Sequence, residues 1–246
     1  MNDLRGFFAP TGTLRAAINM GNAVLAHSHT APEKPAGVTI DLSRDLARVL
    51  GVSVALVCFE GAGKAGAALA AEQVDVGFMA IDPLRAQELL FTRPYVQIEG
   101  CYAVQADSPL TDNAQVDREG VRVIVGQASA YALHLQRHLQ RAQLVDVPTS
   151  EEVVQTMLQD STRPVAAGVR QQLEADAARF GGVRLLPGRF MVIEQAMAMS
   201  RARAKAHAHL QAAAFLENFI EERRSQGFVA DALQRHGMTG ATVVTS

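Results

Sequence analysis

Short apolar runs alternate with amphipathic segments along most of the chain, a pattern typical of an α/β protein. The first cycle predicts a strand over residues 14–18, a helix over 41–51 and a strand over 52–59. In the helix, leucines and a valine recur at helical spacing, and a glycine closes the segment. The same reasoning predicts strands over 74–81, 100–106, 121–125, 144–147, 164–169, 183–186 and 190–199, helices over 61–72, 130–141, 150–158, 170–180, 202–226 and 228–236, and a frayed tail over 240–246.

The elements form two similar series, separated by the chain breaker Asp107-Ser108-Pro109. We therefore predict two α/β lobes, one made of residues 1–104 plus 193–246 and the other of residues 105–192. Two hinge strands, near 100–107 and 187–195, join the lobes and permit closure around a ligand. In open sheets of this type, ligands bind beyond the carboxyl ends of the strands.

The segment from Val74 to Tyr95 carries the most informative chemistry. A buried strand is followed by Asp82, which can cap a helix, and by Pro83, which suits a first helical turn. Arg85 then lies early in the predicted helix, where its planar guanidinium can hold a carboxylate with two parallel hydrogen bonds. The alternative is that Arg85 only pairs with Glu88 on a solvated face.

Composition limits the classes of function. Apolar residues make up 48% and charged residues 20%, which is ordinary for a globular protein. A net charge of −2 gives no global attraction to nucleic acid or to an anionic membrane. No run of 18 apolar residues is present, so we predict no membrane insertion. The N-terminus lacks an apolar stretch behind basic residues and predicts no secretory signal.

Cysteine and histidine usage predicts neither a metal nor a cofactor. Cys58 and Cys101 lie in strand-like runs and are interpreted as buried free thiols. Three pairs of closely spaced histidines are not interpreted as metal ligands. His27 and His29 have no third ligand nearby, and His207 and His209 point apart on a helix. His134 and His138 could share a metal, but an amphipathic helix face explains them better.

Several segments, in order and spacing over residues 13–237, resemble the family 3 extracellular solute-binding proteins, the amino-acid receptors of ABC importers. This resemblance implies the type II periplasmic binding fold. It rests on the segments Gly37-Val38-Thr39-Ile40-Asp41-Leu42, Val74-Asp75-Val76, Ile81-Asp82-Pro83-Leu84-Arg85, Phe91-Thr92-Arg93-Pro94-Tyr95, Ala106-Asp107-Ser108-Pro109 and Gln127-Ala128-Ser129.

The resemblance implies a set of ligand contacts. Arg85 corresponds to the arginine that binds the ligand α-carboxylate, and Ser129 to a hydroxyl residue at a helix N-terminus that meets the same group. Asn22 lies where a loop contacts the ligand side chain. The turns around these residues complete the predicted site with Ala80, Asp82 and Ala128. Taken alone, Ser129 is a plain helix N-cap and Asn22 a turn residue.

Two departures from the family pattern concern the ligand ammonium. Gly168 stands where the family has an aspartate, and Ala80 replaces a hydroxyl residue. A buried ammonium without an anionic partner costs several kcal/mol. Either another acid replaces the aspartate, for which we nominate Glu194, or the ligand is not an ordinary α-amino acid. Arg170 is a candidate second cationic contact, favouring a dicarboxylate, or simply begins a solvated helix.

The sequence thus predicts a monomeric binding protein that closes on a small carboxylate and works with an ABC transporter permease. A lyase of the cyclohexadienyl or arogenate dehydratase kind is the enzymatic alternative, with Glu194 as the candidate general acid. A small-molecule sensor is the third alternative. The resemblance implies a periplasmic location, whereas the lack of a recognised signal leaves a cytoplasmic location open.

Overall fold

The structure is a computed structural model that describes residues 2–28, 34–206 and 210–244. His29, His207 and His209, considered above as metal ligands, lie outside these residues. The helices are α1 Asn2–Phe8, α2 Val38–Leu50, α3 Ala62–Ala70, α4 Ala130–His138, α5 Val153–Gln159, α6 Arg170–Phe180, α7 Arg201–Ala206, α8 Leu210–Ser225 and α9 Phe228–Arg235. The strands are β1 Thr13–Asn19, β2 Ser53–Phe59, β3 Val76–Ala80, β4 Leu89–Gln105, β5 Arg122–Gly126, β6 Gln143–Val147, β7 Val165–Val169, β8 Val183–Leu185, β9 Met191–Ser200 and β10 Thr242–Val243.

The chain divides into two compact units, residues 1–97 with 194–246 and residues 98–193. The chain passes from one unit to the other within β4 and again within β9. The lobe boundaries predicted from the sequence, at 104/105 and 192/193, stay a prediction.

The first unit contains the strand order β2-β1-β3-β9. The first three strands are parallel, as predicted from the alternating pattern, and β9 runs antiparallel to β3. The interior-facing leucines of α2 are fully buried, and the helix ends at Gly51, whose positive φ of 68° suits a glycine cap. The short α3 contributes Ala65, Ala68 and Leu69 to a core cluster that also contains Met79 and Leu89.

The second unit contains the strand order β4-β7-β5-β6, in which β5 is parallel to both neighbours and β4 is antiparallel to β7. The central strands are short and almost completely buried, as expected for strands covered on both faces. Helices α5 and α6 contribute Val154, Met157 and Leu173 to the core of this unit.

Three sequence predictions differ from the structure. The helix predicted after Asp82 is a single 3₁₀ turn, Arg85–Gln87, because the chain enters β4 at Leu89. The predicted strand 100–106 is the end of the much longer β4. The tail predicted to fray contains β10, which pairs with β4, and the N–H of Val244 donates to the carbonyl oxygen of Tyr95 at 3.2 Å.

A buried charged cluster in the first unit links β1, β3 and α7. The Asp75 side chain is fully buried and accepts hydrogen bonds from the backbone N–H of Arg15 at 2.8 Å and from its Nη2 at 2.7 Å. Arg203 Nη1 donates to the same carboxylate at 2.7 Å, and Arg203 Nε lies 3.2 Å from Glu72 Oε2. Each buried charge therefore has an opposite partner, as burial requires.

Candidate functional site

Arg85 lies just beyond the carboxyl end of β3, in the 3₁₀ turn. Its Nη1 donates a hydrogen bond to the carbonyl oxygen of Ala80, the last residue of the strand, at 3.0 Å. This bond ties the half-buried guanidinium to a rigid element. The position agrees with the prediction of a cation at the carboxyl edge of a parallel sheet, where ligands of α/β proteins bind.

A tight turn built on Asp82 sets the position of Arg85. The side chain of Asp82 is buried, and its Oδ1 accepts the backbone N–H of Leu84 at 2.9 Å. Its carbonyl oxygen accepts the N–H of Ala86 at 2.9 Å. Asp82 therefore caps a turn rather than a helix, and its contribution to the site is to orient the chain around Arg85.

Desolvation lowers the pKa of Arg85, and the nearby Asp82 carboxylate opposes this change. The direction shows that the surroundings of the guanidinium offer less solvation than water does. Arginine stays protonated all the same. A cation in such surroundings interacts more strongly with an anionic ligand than a fully hydrated cation does, because screening is weaker.

Two further residues of the predicted site, Ala80 and Glu194, belong to the first unit. Ala80 is buried and opposite Gln195 in the β3–β9 ladder. Glu194 is exposed; its carbonyl oxygen accepts the N–H of Ile81 at 2.8 Å, and its Oε1 accepts from Gln97 Nε2 at 3.2 Å. The fold thus brings Glu194 beside the end of β3, although it lies 114 residues after Ala80 in the chain (194 − 80).

Asn22 lies in the loop that follows β1, also in the first unit. Its carbonyl oxygen accepts the N–H groups of Leu25 and Ala26, both at 3.0 Å, so the residue organises this loop as the turn interpretation predicts. Its side-chain Oδ1 is buried and has no hydrogen-bond partner among the described residues. This oxygen is available to a donor.

The second unit holds Ala128 and Ser129 at the start of α4. Ser129 is the N-cap, and its Oγ accepts the N–H of Ala132 at 3.1 Å. Ala128 has a positive φ of 54°, which costs energy for a residue with a side chain. This strain is confined to the turn between β5 and α4, where strained residues often accompany ligand binding.

Arg170 is held by groups of its own unit. Its Nε donates to Glu99 Oε2 at 2.6 Å, and its Nη2 donates to the carbonyl of Gly188 at 2.7 Å. Arg189 donates to the other oxygen of Glu99 at 2.6 Å, and the two arginines lower the pKa of Glu99. Glu99 precedes Arg170 by 71 residues, so the sequence pattern did not reveal this cluster. The ligand contact predicted for Arg170 stays a prediction.

Gly168 faces an apolar neighbour. A Cβ atom at this position would lie 3.2 Å from both Cγ and Cδ2 of Leu173, a residue that is itself buried in the core. Any side chain at position 168, an aspartate included, therefore requires Leu173 to move. Within the second unit, an apolar side chain occupies the space next to the residue that replaces the aspartate of the family pattern.

The remaining candidate groups are structural. Cys58 and Cys101 are both free thiols; Cys101 is buried and Cys58, contrary to prediction, is exposed. Burial raises the pKa of Cys101 to about 11, which keeps it protonated and unreactive at neutral pH. Among residues 2–28, 34–206 and 210–244, no group of three histidine, cysteine or acidic side chains is arranged to hold a metal ion. No helix in those ranges is long and apolar enough to cross a membrane.

Two exposed apolar side chains beside Arg85 were not predicted from the sequence. Ile81 and Leu84 expose 37% and 54% of their surface. Among the described residues, the only other exposed large apolar side chain is Val192. The signal that could have found them is their position: they follow the last buried residue of a strand and precede the arginine predicted to bind the ligand.

The fold is that of the two-lobed periplasmic binding proteins, as the order of helices and strands and the similar solved structures show. The predicted fold class is therefore confirmed. The model of the bacterial extracellular solute-binding proteins, family 3, matches residues 15–237. The chain belongs to this family. No match was found among curated protein sequences.

Proteins of different function share this fold among the solved structures. An amino acid ABC transporter substrate-binding protein, AbpA from Streptococcus pneumoniae bound to L-arginine, has a TM-score of 0.76 at 16% identity, covering 93% of this chain and 96% of AbpA. AncCDT-1, an ancestral amino acid-binding protein and precursor of cyclohexadienyl dehydratase, gives 0.72 at 18%, covering 92% and 96%. A histidine kinase sensor domain similar to periplasmic binding proteins gives 0.76 at 17%, covering 94% and 98%. At these identities the likeness shows the fold alone.

Proposed function

We propose that this protein binds a small carboxylate solute, an amino acid or a related organic acid, and delivers it to an ABC transporter permease. The observation that carries the proposal is Arg85: a partly desolvated guanidinium, oriented by the Ala80 carbonyl, at the carboxyl end of a parallel strand. A carboxylate gains two charge-assisted hydrogen bonds from such a group. Membership of a solute-binding family supports the same role.

The second unit supplies a further proposed contact in Ser129. Its hydroxyl lies at the N-terminus of α4, where the helix dipole favours an anion. We propose that the two units close on the ligand, with the carboxylate as the group that both recognise. Asn22, with its unsatisfied Oδ1, is the proposed acceptor for an ammonium or amide of the ligand.

An amino group on the ligand meets no charged side chain at position 168, because Gly168 supplies none. Glu194, the acid that the sequence nominated, lies next to the Arg85 turn, because its carbonyl oxygen accepts the N–H of Ile81, and its side chain is exposed. We propose that Glu194 makes a water-accessible contact with an ammonium when the ligand has one. Such a contact contributes less than a buried ion pair, so the protein tolerates ligands without an amino group.

The lyase alternative needs a general acid with a raised pKa in a dry site. Glu194, the candidate, is exposed and accepts a hydrogen bond from Gln97 Nε2 at 3.2 Å, so its carboxylate does not lie in a dry site. This environment favours binding over catalysis. Turnover of prephenate or arogenate by the purified protein would instead establish the enzyme.

The test is calorimetric titration of the purified protein with amino acids, 2-oxo acids and dicarboxylates. We expect at least one carboxylate to bind, Arg85→Ala to abolish binding, and Arg85→Lys to recover only part of it because lysine lacks the planar fork. Arg44→Ala, at an exposed position of α2, is the matched control and should bind normally. The proposal fails if no carboxylate binds, or if both alanine variants bind as the unmodified protein does.

A further inference from the structure

The exposed apolar pair beside Arg85 is rigidly held. Ile81 is fixed by its N–H, which donates to the Glu194 carbonyl at 2.8 Å. Leu84 is fixed by its N–H, which donates to Asp82 Oδ1 at 2.9 Å. A proline lies between them and further limits the backbone. The backbone that carries the two exposed side chains is therefore held in place.

The other end of the turn is anchored as well. Arg201 donates through Nη2 to the carbonyl oxygen of Ala86 at 2.8 Å and to that of Leu89 at 3.3 Å, and its backbone N–H donates to the Glu88 carbonyl at 2.9 Å. The turn thus has hydrogen bonds to β9 before the apolar pair and to α7 after it. A rigid surface of this kind binds a ligand without paying to become ordered.

We propose that the ligand is a carboxylate with an apolar body, branched or aromatic, which covers Ile81 and Leu84 while Arg85 holds its carboxylate. The inference rests on the proposed function and adds the chemical class of the rest of the molecule. Ile81 and Leu84 lie four and one residues before Arg85 in the same turn. This closeness in the chain is the ground for placing the apolar body of the ligand against the pair.

The charges of the turn distinguish this class from the alternatives. A dicarboxylate needs a second cation, and the nominated one, Arg170, already pairs with Glu99. A cationic amino acid needs a buried acid for its side chain, and Asp82 is engaged by the turn N–H of Leu84. An apolar body needs neither, and it removes the exposed surface of two apolar side chains from water.

The test compares ligands of similar size on the unmodified full-length protein. Isothermal titration with leucine and with asparagine, which differ mainly in polarity at the side-chain end, isolates the apolar contribution; phenylalanine, 4-methyl-2-oxopentanoate, aspartate and arginine extend the series. We expect leucine to bind at least about tenfold more tightly than asparagine, since an apolar side chain transferred from water gains 1.5–3 kcal/mol. Tighter binding of asparagine, aspartate or arginine than of leucine would overturn the inference.

A pair of variants then assigns the contact. Leu84→Ser removes the apolar surface at an exposed position and should weaken leucine binding about fivefold, with little change for polar carboxylates. Leu84→Met keeps the apolar surface and should bind leucine normally; circular dichroism checks that both variants are folded. Equal leucine affinity in the two variants would show that the pair is not the subsite.

If polar carboxylates bind tightly and Arg85→Ala abolishes that binding, the proposed function stands and only this inference fails. If no carboxylate binds, both fail.

Discussion

Replacing Asp75 with asparagine tests whether the buried charged cluster stabilises the first unit. The carboxylate accepts hydrogen bonds from Arg15 through the backbone N–H, Nε and Nη2, and from Arg203 through Nη1, at 2.7–3.0 Å. An asparagine has nearly the same shape. It removes the negative charge and presents an amide N–H₂ group to one of the two arginines.

The magnitude follows from the burial of the partners. Arg203 is only 6% exposed, so its charge cannot regain water when its partner is neutral. Removal of one member of a buried ion pair costs about 3–5 kcal/mol. Arg203 keeps its contact with Glu72, and the Arg15 side chain is 28% exposed, so the lower end of that range applies. We expect a loss of about 3 kcal/mol in the free energy of unfolding, roughly a hundredfold in the equilibrium constant.

Urea denaturation followed by circular dichroism measures the loss, and native-state hydrogen exchange locates it. Amides of β1 and β3 should exchange faster in Asp75→Asn, whereas those of β5 and β6 should not. Asp107→Asn is the control, because the pair of Asp107 with Arg163 is exposed and should contribute about 1 kcal/mol or less. A change below about 1 kcal/mol in Asp75→Asn, or an equal change in the control, would refute the reasoning.

Three further predictions concern the second unit. Two arginines lower the pKa of Glu99 below its ordinary 4.5, so its stabilisation is complete above that value and is lost as the pH falls through the lower folded-state pKa; the stability of Glu99→Gln should therefore depend less on pH in acid titrations below 4.5. Gly168→Ala should destabilise by about 1–3 kcal/mol in urea melts, and adding Leu173→Ala should relieve the clash while opening a cavity, so the two effects should not be additive. Ser129→Ala should lower the free energy of unfolding by about 1 kcal/mol, because a helix cap is lost, and should also weaken carboxylate binding; Ser129→Thr should keep both the stability and the affinity.

Local patterns predicted most of the elements because each depends on neighbours in sequence. The helix 170–180 was predicted with its observed bounds, and β1, β2 and β5 within two residues of theirs. The 3₁₀ turn of Arg85 was mistaken for a helix, since a capping aspartate followed by proline begins both structures. The position of Arg85 at the end of a strand did not depend on that distinction, and so it was predicted correctly.

Groups brought together over long sequence separations were beyond prediction. Glu99 and Arg170 pair across 71 residues, and the tail residue Thr242 pairs with Gln97. No periodicity encodes such pairs, because each partner alone is an ordinary exposed charge or a polar tail residue. Their energy depends on whether burial and geometry favour the contact, which only the folded chain decides.

The sequence by itself determined the alternation of strands and helices, the family resemblance and the arginine at the β3 end, because these follow from periodicity and from local chain order. Only the tertiary structure decided that Arg170 is engaged by Glu99, that Leu173 packs beside Gly168, and that Ile81 and Leu84 are held exposed beside Arg85. The reason is physical: hydrophobic periodicity acts between residues a few positions apart, whereas charge pairing and exposure depend on elements that meet only when the chain has folded.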